Sequence, residues 1–122
     1  MKYLRIAFVV AALAIAVYSA GCKSSKNPVV PTPAADVTIN IVGDLGASSF
    51  SPSPDTVLVG QTVAWHNSDG SLTHRVVADN ALFNTTNIGP GSTSASIAMN
   101  SPGSFPYHCS IHPTMTGTLV VH

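Results

Sequence analysis

Hydrophobic positions along this chain obey two different rules. Near the N-terminus they run together, and Ile6 to Val17 is unbroken apolar sequence. From Val37 onward they alternate. Val37, Ile39 and Ile41 are separated by Thr38 and Asn40, the period of a strand with one buried face. The same period predicts strands over Thr56–Val59, over Thr62–His66 with Val63 and Trp65 inward, and over Thr73–Ala78. It recurs over Ser94–Met99 with Ile97 and Met99 inward, over Ser104–Cys109, and over Gly117–Val121. Between these runs stand turn signals: Gly43-Asp44-Leu45-Gly46, Ser51-Pro52-Ser53-Pro54, Gly60-Gln61, Asn67-Ser68-Asp69-Gly70 and Ser101-Pro102-Gly103. Asp79 to Gly91 reads as a longer irregular connection in which Phe83 is an apolar plug. Seven to eight short strands without a helix of ordinary length predict an all-β fold, a Greek-key β-sandwich.

Composition narrows the possibilities. Lys plus Arg and Asp plus Glu number five each, and only 8% of residues are charged. No basic face is available, so nucleic acid is excluded as a partner.

The apolar run is too short for the ~20 residues of a spanning helix, and Lys2 and Arg5 precede it, the form of a secretory signal. With Ser19-Ala20-Gly21-Cys22 it resembles a bacterial lipoprotein signal, although Ser19 stands where such signals usually carry Leu or another aliphatic residue. The resemblance implies a signal peptide over 1–21 and lipidation of Cys22. Residues 22–35 are rich in Pro and Ser and read as a linker, leaving 36–122 as the folded domain. The expected location is outside the cytoplasm, on the periplasmic or cell-surface side, with the membrane engaged only through the N-terminal lipid. A monomer is expected. Cys109 is then a lone thiol in an oxidising compartment, where an unpaired cysteine needs another explanation.

That explanation lies in Cys109, His112 and Met115, three residues apart on one turn. If Cys109 faces inward, Phe105 and Tyr107 do too, and His108 faces away. His108 is therefore read as a surface residue, as is His66. A thiolate with imidazoles suits zinc or copper, and a thioether as a weak extra ligand favours copper in a two-His, one-Cys site. The second imidazole must come from another strand, and His74 is the best placed. Pro113 stiffens the turn by fixing its own φ. Ile111, Pro113 and Leu72 are expected to surround the edge of His112.

The segments Thr62-Val63-Ala64-Trp65-His66-Asn67, Thr73-His74-Arg75-Val76-Val77 and Gly103 through Thr118 resemble the plastocyanin and amicyanin branch of the cupredoxins. The resemblance implies one copper ion per domain with His74, Cys109 and His112 equatorial and Met115 axial. It also implies one-electron transfer with transient redox partner proteins, and no catalysis. Arg75 departs from the family, which often has a short polar residue there that ties the two ligand loops together. The alternative function is a copper-binding or copper-delivery module without a redox role. A Cys/His nucleophile lacks an orienting third group. A copper nitrite reductase would need further imidazoles for the second copper that the His before its Cys serves. A multicopper oxidase would need His on both sides of Cys109, where Ser110 follows.

Overall fold

The computed structural model describes residues 33–122, which belong to one compact unit, Thr32–His122. Cys22, the 1–21 signal and most of the 22–35 linker lie outside the described residues. Eight strands form in chain order: β1 Val37–Ile41, β2 Phe50–Ser51, β3 Asp55–Val57, β4 Thr62–Asn67, β5 Val76–Ala78, β6 Ile97–Ala98, β7 Gly103–Cys109 and β8 Thr116–Val121. The only helical piece among the described residues is a 3-10 turn, Gly46–Ser48.

The strands make two four-stranded sheets, ordered β2-β1-β4-β6 and β3-β8-β7-β5. Each is mixed: β1 runs parallel to β4, β3 runs parallel to β8, and the other pairs are antiparallel. Alternation decides what fills the space between them. Ile39 and Ile41 of β1, Val63 and Trp65 of β4, Phe105, Tyr107 and Cys109 of β7, and Leu119 and Val121 of β8 are all buried. Trp65 stacks on Phe83 with ring centroids 5.3 Å apart and meets Tyr107 edge-on at 5.7 Å. Phe83 is therefore the plug its composition suggested, and burial of these large rings is a main source of stability.

Several boundaries differ from the sequence pattern. Asn67, assigned to a loop by composition, ends β4 and is fully buried. β5 starts only at Val76, and His74 belongs to an isolated bridge with Ile88. Of the Ser94–Met99 run only Ile97–Ala98 is strand, and Phe50–Ser51 adds a short strand that the Pro-rich turn obscured. The connection after β5 is more regular than predicted. It folds back alongside β5, pairing Val77 with Asn84 and His74 with Ile88.

Candidate metal centre

β5 and β7 are antiparallel neighbours in which Val76 faces Cys109 and Val77 faces His108. This register places Cys109 at the buried end of β7, beside the segment that carries His74. His74 is held by main chain on both sides: its N–H donates to Ile88 O at 3.0 Å, and its carbonyl accepts from Ile88 N at 2.8 Å. After Cys109 the chain turns back on itself. Met115 N donates to His112 O and Cys109 N donates to Met115 O, both at 3.0 Å, a closed turn with Pro113 at its tip. A further tie comes from Thr114, whose hydroxyl donates to Asp44 Oδ1 at 3.2 Å.

These restraints bring His74, Cys109 and His112 together, with one ligand atom from each inside a 4.8 Å cluster. Cys109 Sγ lies 3.8 Å from His74 Nδ1 and 3.8 Å from His112 Nδ1. That spacing is long for a hydrogen bond but fits a shared ion. Sulfur at about 2.3 Å and nitrogen at about 2.05 Å from one centre, in trigonal array, stand about 3.8 Å apart. Cys109 and His74 are fully buried and His112 is half-buried, so the cluster lies just beneath the surface. Met115, three residues after His112, is fully buried and closes the same turn. The donor set of one thiol and two imidazoles, with a thioether carried on the same turn, suits copper. Ile111 and Leu72, expected around the His112 edge, are exposed, at 45% and 38%.

His108 is on the other face of β7, where its Nδ1 meets Asp79 Oδ1 at 2.7 Å. His66 is held at the surface by Thr93 Oγ1 at 2.8 Å. Neither joins the cluster. Arg75 ties the two ligand segments without a short polar side chain: its N–H points at Cys109 Sγ at 3.4 Å, and its carbonyl accepts from Ser110 N at 2.9 Å.

Sequence reasoning missed two residues here. Asn67 donates from Nδ2 to Leu72 O at 2.8 Å and to Ile88 O at 2.9 Å, joining the loop before His74 to the strand-like segment behind it. Asp69 places Oδ2 at 3.3 Å from His74 Nε2. Its carboxyl is held down to about 2, first by the Ser71 backbone N–H and next by that of Leu72, with burial opposing. As an ionised carboxylate Asp69 only accepts, so the contact favours the proton on Nε2 and leaves the Nδ1 lone pair facing Cys109. The signal available in the sequence was an acidic residue five positions before a candidate ligand, too common to single out.

The family described as a cupredoxin-like domain matches residues 6–121. A plastocyanin of Scenedesmus fuscus is 32% identical over 98 residues, covering 70% of this chain and 99% of that protein. Among solved structures, a purple cupredoxin from Nitrosopumilus maritimus superposes with a TM-score of 0.62 at 28% identity, covering 71% of this chain and 100% of the other. A copper-containing nitrite reductase from Thermus scotoductus also gives 0.62, at 32% identity and 74% of this chain, but the match spans only 23% of that enzyme.

Proposed function

Because this chain belongs to the cupredoxin-like family, we propose that His74 Nδ1, Cys109 Sγ and His112 Nδ1 would hold its copper ion, with the Met115 thioether as a weaker fourth ligand. The protein is a copper-binding electron carrier of the blue-copper type. The observation that carries the ligand reading is the equal 3.8 Å spacing of both imidazole Nδ1 atoms from one buried thiol.

Bound copper supplies a one-electron couple between Cu(I) and Cu(II). The chain's part is to keep the ligands still while the charge changes. His74 is fixed by its two main-chain bonds to Ile88, and the Cys109–Met115 turn is closed by its own hydrogen bonds. Such a frame suits a site that must serve both charge states with little rearrangement. His112 is the ligand nearest solvent, and exposed Ile111 and Leu72 offer an apolar surface for weak, short-lived docking of a redox partner protein.

No catalysis is assigned. The match to the nitrite reductase covers a fraction of that enzyme. His108, the residue that would have to serve a second copper, is engaged by Asp79 instead. The Ile6–Val17 run and Cys22 support export and lipid anchoring, on the periplasmic or cell-surface side, of a domain spanning 36–122. It acts as a monomer.

Stopped-flow mixing of the reduced, copper-loaded protein with a small oxidised redox protein tests the carrier role. Rapid oxidation with copper retained is the expected result. Slow oxidation together with ready passage of copper to a metal-free acceptor protein would favour copper delivery instead.

A further inference from the structure

We propose that Asp69 is a positioning residue that sets the reduction potential of the site through His74, an inference that rests on the copper reading above. Asp69 is itself tightly placed. Its Oδ1 accepts from Ser71 N at 2.9 Å, Ser71 Oγ at 3.2 Å and Leu72 N at 3.1 Å. Its own N–H donates to Asn67 Oδ1 at 3.0 Å. Asn67 in turn bonds Ile88 O, the carbonyl that also accepts from His74 N. Asn67, Asp69, His74 and Ile88 thus form a closed ring of contacts, which fixes the carboxylate relative to the imidazole from both ends. The hydrogen bonds from Ser71 and Leu72 occupy Oδ1 and leave Oδ2 for His74 Nε2.

The surroundings make that contact strong. The His74 side chain is fully buried and that of Asp69 is 12% exposed, so water screens the pair little. Two effects follow. The carboxylate selects the His74 tautomer whose Nδ1 is free, and its negative charge makes that imidazole a stronger donor. A fixed anion near the metal favours the more highly charged ion, so Asp69 lowers the potential relative to the same site without it.

The test uses the full chain loaded with copper, comparing wild type, Asp69→Asn and Asp69→Ala by electrochemical potential, visible spectrum and melting of the metal-free protein. Asp69→Asn keeps an acceptor oxygen for Ser71 and Leu72, so metal-free melting should change little. Both variants should keep the blue absorption and raise the potential, moving the Cu(I) to Cu(II) ratio at fixed ambient potential by about tenfold, or about 59 mV for one electron. Should Asp69→Asn fail to hold copper because its amide imposes the wrong tautomer, Asp69→Ala, which cannot do so, decides the matter. An unchanged potential in a blue variant would overturn the inference and reduce Asp69 to a loop-closing residue. A wild-type protein without blue absorption would instead remove the copper reading, a separate and recognisable failure.

Discussion

Arg75 points its backbone N–H at Cys109 Sγ, 3.4 Å away, while its own side chain turns aside to Asn84 Oδ1 and Thr85 O at 3.0 and 3.2 Å. The tie between the ligand segments is therefore made by main chain, which explains how a long cation is accommodated where the resemblance led to the expectation of a short polar residue. Arg75→Ala should leave the visible spectrum of the Cu(II) form unmoved and lower stability by about 1 kcal/mol. Arg75→Pro, which removes the N–H beside the sulfur, should shift or abolish the absorption. Spectra of the two variants side by side check the point.

Asn67 is the polar residue on which the approach to His74 depends. Truncation to Ala removes three hydrogen bonds, to Leu72 O, to Ile88 O and from the Asp69 N–H, while Ile88 O keeps its bond from His74 N–H, and each lost bond costs about 1 kcal/mol. Chemical denaturation of metal-free Asn67→Ala should show a loss of about 3 kcal/mol. Asn67→Asp, which cannot donate to two carbonyls, should lose at least as much.

Gly117 is required for steric reasons, since a Cβ there would lie 2.4 Å from Tyr107 Cζ and 2.5 Å from its hydroxyl. Gly117→Ala should cost about 2 kcal/mol by overpacking. In a Tyr107→Leu background, where the far end of the ring is gone, the same substitution should cost less. A double-mutant cycle measures the difference directly.

Burial pushes the Tyr107 phenol well above its ordinary range, with the Trp65 indole N–H only partly opposing. Neither Tyr107 Oη nor Trp65 Nε1 has a well-formed hydrogen bond among the described residues. A phenol raised in the folded state leaves stability intact below its unfolded value near 10 and takes it away as pH climbs above that value. Denaturation midpoints should fall above about pH 10, and Tyr107→Phe should flatten that part of the decline. At neutral pH the same variant should be nearly neutral, because the hydroxyl it removes makes no well-formed bond.

Much of the fold was readable because period-two burial and turn residues are local signals. β1, β4, β7 and β8 lie within a residue of their predicted bounds, and strand parity alone separates His108 from Cys109. The misses share a cause. Thr73–Arg75 and Ser94–Ser96 alternate like strand, yet their pairing is set by the chain folding back after β5 and by contacts near Thr93 and Ser94, which no local window contains. Asn67 and Asp69 looked like ordinary loop residues because their roles lie in partners up to 21 positions away. The cluster of His74, Cys109 and His112 was legible for the opposite reason. Two of its members share one turn, and the third was expected on a neighbouring strand.

The central claim is that Cys109 gives its thiolate to a copper ion held also by His74 and His112. A Cu(II) titration of the wild-type protein and of Cys109→Ser, followed by visible absorption, tests it most directly. An intense thiolate-to-copper band that saturates at one ion per chain in the wild type and is missing from the variant is the predicted result. A saturated wild-type protein with no such band, or a variant that shows the same one, would contradict it.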